Sequence, residues 1–278
     1  MTRPYAEVIG DPIAQSKSPL IHNFWLEKLG IDADYRATRV ALDALPGYFD
    51  SRRADPDWRG CNVTMPLKQS VAPLVDEVDA FAARAGAINT VVPDPAGLRG
   101  GNSDGAGFLE PLGAIDGQAA MACLIGTGGA ARGIAVALLD AGFKLEIRGR
   151  TVERAQALAE AVGGRSEIRT GVMSEAIMWD RVAGRNSFKL LINATSLGMT
   201  GHPSLNLPLE ELAPDVAVYD IVTSPPETPL LRQARACGMR SFDGLQMLVG
   251  QAAVAFERFF GQRAPREHDA ELRAKLVS

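Results

Sequence analysis

Cysteine is scarce in this chain: there are three in 278 residues, Cys61, Cys123 and Cys237, widely spaced and set in apolar stretches such as MACLIG. An odd, scattered set gives neither a disulfide framework nor a pair at metal-ligand spacing, so reduced core thiols are expected. Histidine is as rare. His22 stands in the apolar helical pattern PLIHNFW and reads as packed, His202 lies in a Gly-Pro loop and reads as solvated, and His268 sits in the polar tail. Imidazoles so dispersed form no metal cluster, and no metal is expected. Positive charge is short too, with 29 Lys plus Arg against 33 Asp plus Glu and a net charge of -4. Neither nucleic acid nor an anionic membrane is therefore an expected partner, and any bound anion must be met by local placement. No segment reaches the roughly 18 consecutive apolar residues of a membrane span, and MTRPYAEVIGDPIAQSKSPL lacks the apolar run of roughly 7 to 15 residues of a secretion signal. A soluble cytoplasmic protein is the expectation.

What is present is an alternation of short apolar runs with helical patterns: YAEVIG then PLIHNFWLEKLG, ADYRATRV then ALDALPGYFDS, CNVT then a helix start, then AINTVV. β-Branched residues in the short runs, with Gly or Pro between them, predict α/β architecture with mostly parallel sheets covered by helices. Domains cluster near about 100 to 150 residues, so the length favours two. A break is expected near residues 100 to 105, in the glycine-rich LRGGNSDGAG, after which MACLIGTGGAARGIAVALLDAG opens a second α/β unit. KLEIRGRT, KLLINAT and VAVYDIV continue it as strands, and LQMLVGQAAVAFERFFG closes on a helix with apolar residues at helical spacing.

Two stretches carry chemistry. In CNVTMPLK, residues 61 to 68, a short strand stops at a proline and delivers Lys68 just beyond its end. That lysine is either a solvated cation near a helix start or a group aimed into the crevice that strand ends face in α/β proteins. In LIGTGGAARG a strand runs into Gly126, Gly128 and Gly129 and then directly into an alanine-rich helix. Residues without side chains let a pyrophosphate approach the N–H groups at a helix start, where the macrodipole favours negative charge. Folds that take NAD place an acid about 20 residues beyond the glycines to bond the ribose hydroxyl. This chain reads IRGRTVER there instead. A carboxylate would repel the 2′-phosphate of NADP, whereas Arg150 and Arg154 with the Thr151 hydroxyl can grip it, so NADP is predicted over NAD. Arg148, upstream within the strand, is free to point elsewhere.

Nine segments, SKSP, NVTMPLK, GAINT, GNSDGAGF, GTGGAARG, GRT, INATSLGM, TPLL and GLQMLVGQA, occur in one order, and by them the chain resembles the shikimate dehydrogenase family along nearly its whole length. The resemblance implies reversible NADP-linked reduction of 3-dehydroshikimate to shikimate, a step in making aromatic compounds. It implies an N-terminal substrate-binding domain over residues 1–104, a Rossmann-type cofactor domain over 105–244, a cleft between them, and C-terminal helices over 245–278 that return to the first domain. By position, Lys68 and Asp104 become the catalytic pair. Ser16 and Ser18 are to hold the substrate carboxylate, while Thr64, Asn89 and Gln251 hold hydroxyls and Thr223 borders the substrate. The cofactor falls to Gly126, Thr127, Gly128, Gly129, Ala130, Arg150, Thr151, Arg154, Ile221 and Gly244. The partner is a small molecule, and the assembly a monomer or homodimer.

Hydride reduction of a ketone leaves negative charge growing on oxygen, so a proton donor must stand within hydrogen-bond reach. Lys68 fits that need, and a nearby Asp104 makes the two a coupled pair. Ser18 before Pro19 also has the form of a helix N-cap, a role compatible with an anion seat. Asn193, Thr195 and Ser196 read as backbone-shaping. Thr223 stands where the family commonly carries tyrosine, which leaves a roomier pocket and keeps a quinate/shikimate dehydrogenase in play. A dinucleotide sensor without chemistry is the alternative of another class. Retention of Lys68 with Asp104 speaks against it.

Overall fold

The computed structural model describes residues 3–113, 115, 117–118, 120–163, 168–172 and 188–278. They form two compact units, Met1–Gly107 with Val249–Ser278, and Phe108–Leu248. Among the described residues, no helix is long and apolar enough to cross a membrane.

The first unit begins with β1 (Tyr5–Gly10), α1 (Ser18–Leu29), β2 (Asp34–Arg39), α2 (Leu45–Arg53) and β3 (Trp58–Val63). A 3₁₀ turn (Leu67–Gln69), β4 (Glu77–Val78), α3 (Ala80–Ala85), β5 (Thr90–Asp94), β6 (Gly97–Gly101) and α4 (Asp104–Leu109) follow. The sheet order is β2-β1-β3-β5-β6-β4. Strands β2, β1 and β3 are parallel, but β5 runs antiparallel to both β3 and β6. The sheet is thus mixed: β5 and β6 are joined through Pro95 and Ala96, too short a link for the helical crossover that a parallel pair needs. One face buries Ile9, Trp58, Val63, Leu67 and Val91 with Leu45 and Phe49 of α2. Ser18 is not the N-cap of α1. Lys17 holds that position without a side-chain capping bond, and the Ser16 hydroxyl instead accepts from the Ser18 N–H at 3.3 Å.

The second unit contains β7 (Met121–Ile125), α5 (Gly129–Asp140), β8 (Lys144–Gly149), α6 (Val152–Val162), β9 (Ile168–Val172), β10 (Phe188–Asn193), β11 (Ala217–Asp220), α7 (Pro229–Ala236) and β12 (Ser241–Asp243). Its order is β12-β11-β10-β7-β8-β9, with every pair parallel. Counted from its own first strand this is 3-2-1-4-5-6, the doubly wound order of dinucleotide-binding Rossmann folds. Such strands are covered on both faces and need continuous apolar runs, which MACLI and KLLIN supply. Cys123, Ile125, Leu191, Val218 and Leu231 form part of the core.

The helix α8 (Gly244–Phe260) begins in the second unit and ends in the first, and α9 (Asp269–Val277) closes the chain. In the first unit Phe256 and Phe259 of α8 meet His22 of α1 and Tyr35 of β2 in an aromatic cluster. The three cysteines are free thiols, Cys61 and Cys123 buried and Cys237 half-buried. Burial pushes the Cys123 thiol up to about 12.

Candidate active site

Topology gathers the first unit's candidates at one sheet edge. Parallel strands β1 and β3 end on the same side, so the segments leaving them carry Ser16, Ser18, Thr64 and Lys68 there. Antiparallel β5 starts on that side, just after Asn89, and β6 returns to it before Asn102, Ser103 and Asp104. Ligand crevices in open α/β sheets lie outside such strand ends.

Lys68, in the 3₁₀ turn after β3, donates from Nζ to Asp104 Oδ2 at 2.7 Å. The pair is largely out of solvent, its side chains 14% and 1% exposed. In such a setting, removing one partner strands a buried charge. The other Asp104 oxygen accepts from Asn89 Nδ2 at 2.8 Å, and the Asp104 N–H donates to Asn102 Oδ1 at 2.8 Å. Asp104 also opens α4, where the helix end favours its charge. Gln251 Oε1, from α8, lies 3.5 Å from Asn89 Nδ2. Lys68, Asp104, Asn89 and Gln251 are therefore brought together. Thr64 is half-buried, its N–H bonded to Ile9 O at 2.9 Å, and Ser16 and Ser18 are half-buried at the start of α1. No bond joins either serine to this group among the described residues.

Sequence reading passed over Asn62, Thr90 and Asn102. Thr90 and Asn102 are buried, and all three are bonded into the same group. Their signal is the antiparallel pairing of Asn62 with Thr90, which no local pattern announces. His22 is buried, with its ring stacked on Tyr35 at 3.9 Å between centroids, and burial holds its pKa down at about 3. His202 is exposed. Among the described residues no cluster of His, Cys, Asp or Glu is placed to hold a metal ion.

The second unit presents its candidates at the carboxyl ends of parallel strands. Gly126 follows β7 at φ +125°, and a Cβ there would lie 2.6 Å from Ala194 O, so both conformation and space require glycine. Gly128 caps α5 without a side chain, and a Cβ on it would point into open space. Thr127, Gly129 and Ala130 complete this bare turn and first helical residues. An uncovered helix start facing open space fits a pyrophosphate. After β8, Arg150 and Arg154 are exposed, and the Thr151 hydroxyl caps α6 by accepting from the Arg154 N–H at 3.4 Å. Arg148 turns the other way: it is buried and paired with Glu146 two residues earlier on the same strand face.

Side chains lace the loops beyond these strands. Asn193 donates to Asp220 Oδ1 at 3.0 Å and to Leu197 O at 2.9 Å, and its own oxygen accepts from the Thr195 hydroxyl at 2.7 Å. Thr228 donates to Asp220 Oδ2 at 2.6 Å, and burial raises the Asp220 pKa. This lacing fixes the segment carrying Ile221 and the half-buried Thr223. A Cβ on Gly244 would collide with the carbonyls of Ile221 and Val222, which accounts for glycine at the start of α8.

The chain is also similar to known proteins over nearly its whole length. The shikimate dehydrogenase substrate binding domain matches residues 8–91, and the shikimate 5′-dehydrogenase C-terminal domain matches 244–271. A shikimate dehydrogenase (NADP(+)) of Sphingopyxis alaskensis is 49% identical over 277 residues, covering 99% of this chain and 97% of the relative. The crystal structure of shikimate 5-dehydrogenase from Thermus thermophilus with NADP(H) and shikimate superposes with a TM-score of 0.84 at 36% identity, covering 98% of this chain and 99% of that one. A quinate dehydrogenase from Corynebacterium glutamicum in complex with NAD gives 0.86 at 30% identity, covering 98% and 99%. With half its residues shared with such a relative from end to end, the chain belongs to the shikimate dehydrogenase family.

Proposed function

We propose that this protein is an NADP-dependent shikimate dehydrogenase that reversibly reduces 3-dehydroshikimate to shikimate, with Lys68 and Asp104 as its acid–base pair. The observation that carries the reading is the Lys68 ammonium held 2.7 Å from a buried carboxylate whose other oxygen is bonded to Asn89. NADPH, when bound, supplies the hydride. As the carbonyl oxygen gains negative charge, Lys68 Nζ stabilises it and gives it a proton, and Asp104 holds the lysine in place. In the reverse direction Lys68 takes the hydroxyl proton, and Asp104 stabilises the resulting ammonium. The remaining hydrogen-bonding capacity of Gln251 and Thr64 goes to ring hydroxyls, Asn89 reaches one by giving up its 3.1 Å contact with the Ser103 hydroxyl, and Ser16 and Ser18 receive the carboxylate.

Residues 1–104 with 245–278 serve as the substrate domain and 105–244 as the cofactor domain. Gly126 through Ala130 seat the pyrophosphate, Arg150, Thr151 and Arg154 the 2′-phosphate, and Ile221 and Gly244 border the nicotinamide end. Thr223, smaller than the family's common tyrosine, bears on which hydroxy acid is preferred. The protein works in the cytoplasm as a monomer or homodimer. Steady-state rates with shikimate and quinate, each with NADP and NAD, test the assignment. Shikimate with NADP is expected to give the highest kcat/KM. Higher values for quinate with NAD move the protein beside the Corynebacterium enzyme, and absence of turnover by a folded, NADP-binding sample leaves a dinucleotide sensor.

A further inference from the structure

Behind the Lys68–Asp104 pair runs a line of side chains whose protons have only one possible order. The Ser103 N–H, which can only donate, points at Asn89 Oδ1 from 2.8 Å, so the Asn89 NH₂ must face Asp104 Oδ1, 2.8 Å away, and the Ser103 hydroxyl, 3.1 Å away. Asn89 Oδ1 is thereby an acceptor, and the Thr90 hydroxyl, 2.8 Å from it, donates. Having donated, Thr90 Oγ1 accepts from Asn62 Nδ2 at 3.2 Å. The orientation of Asn62 is fixed in turn, because the same Nδ2 faces the Asn89 carbonyl at 3.2 Å, which can only accept. Asn62 Oδ1 then accepts from the Tyr35 hydroxyl at 2.6 Å. Two backbone groups thus set both amides, and each donor from Tyr35 onward points toward Asp104. Thr90 and Tyr35 are 1% and 2% exposed, so water does not compete at either. Hydrogen bonds lined up where water is largely excluded polarise one another.

We propose that Thr90, backed by Asn62 and Tyr35, is a positioning residue that locks the Asn89 amide so that Asp104 keeps one oxygen fixed and offers the other to Lys68. The assignment rests on the reading of Lys68 and Asp104 as the reacting pair. Burial keeps the Tyr35 phenol protonated by raising its pKa well above the ordinary value, so the far end of the line remains a donor. Without the Thr90 hydroxyl, Asn89 Oδ1 keeps only the Ser103 contacts, and the amide loses the bond that holds it from the β5 side.

Thr90→Val keeps the shape and deletes the hydroxyl, and Thr90→Ser keeps the hydroxyl and deletes the methyl. Loss of one aligned neutral bond predicts that Thr90→Val lowers kcat about tenfold with the shikimate KM within about twofold and folding stability lower by about 1 kcal/mol, while Thr90→Ser stays within about twofold of wild type. Equal losses in both variants, or a kcat for Thr90→Val within about twofold of wild type, overturn the proposal. Tyr35→Phe retains the stack on His22 and removes the terminal donor. It is expected to lower kcat about threefold, and an unchanged kcat overturns the proposal whether or not Thr90→Val folds. Wild type and Lys68→Ala are measured alongside. A wild type without shikimate turnover defeats the assigned function, whereas an active wild type, an inactive Lys68→Ala and a normal Thr90→Val defeat only the positioning role.

Discussion

The two units build their candidate sites in opposite ways. In the first, buried and half-buried side chains from β3, β5, α4 and α8 are bonded to one another, and Lys68, Asp104 and Asn89 have their geometry set by residues far apart in sequence. In the second, the site is mostly backbone: a bare glycine turn, a helix start without a side-chain cap, and two exposed arginines. Chemistry needs a few groups held to a fraction of an ångström, which a hydrogen-bonded interior provides. Seating a flexible dinucleotide needs open surface and charge, which exposed loops provide. Substitutions in the first unit should therefore act on turnover, and those in the second on cofactor affinity.

The hardest blow to that division is Lys68→Ala. General acid–base groups contribute about 10² to 10⁴ in rate, so kcat is expected to fall by about 10³ while the shikimate KM moves by less than about threefold. Steady-state kinetics with saturating NADP checks it. A KM that rises steeply with kcat intact makes Lys68 a binding group, and the first unit's site a grip rather than a catalyst.

Arg150→Asp puts the second unit to the complementary test. A charged hydrogen bond to phosphate is worth about 1.5 to 3 kcal/mol, so the KM for NADP is expected to rise about 10- to 100-fold, with the KM for NAD and kcat at saturation little changed. Equal KM changes for both cofactors would remove Arg150 from the 2′-phosphate. A collapse of kcat at saturating cofactor would erase the contrast between the units.

The sequence made one site far more legible than the other, for a physical reason. The glycine turn and the arginines after the next strand are local, so IGTGGAARG and IRGRTVER display both their conformation and their charge within a few residues. Strand β1, helix α1 and strand β3 were legible in the same way, punctuated by Gly and Pro. The first unit's network depends on register. Thr90 faces Asn62 because β5 turns antiparallel to β3, and nothing in AINTVV distinguishes that direction from a parallel one. The capping role given to Ser18 failed by two residues because Ser16 supplies the oxygen from outside the helix. Arg148 shows the same limit: its charge is visible in IRGRT, but its burial against Glu146 depends on which strand face it occupies.

If the first unit's interior is as dry as the site requires, acid should reveal it. His22 is buried with its pKa held near 3, against 6.5 for an unhindered imidazole, because burial disfavours the charged ring. Neither ring nitrogen has a hydrogen-bond partner, so nothing inside favours protonation. Between these two values the unfolded chain binds a proton that the folded chain refuses, so folding stability falls as pH drops through that window. The slope approaches about 1.4 kcal/mol per pH unit inside the window, and above about pH 7.5 this contribution is constant. His22→Phe removes the titrating group and retains an aromatic ring against Tyr35. Urea unfolding followed by tryptophan fluorescence in a Trp179→Phe background, which leaves only buried Trp25 and Trp58 of the first unit to report, reads the effect where it arises. Wild type is expected to lose about 1.6 kcal/mol more than His22→Phe between pH 6.5 and pH 5. Identical losses would mean that water or a polar group reaches His22 and that the aromatic cluster of the first unit is not dry.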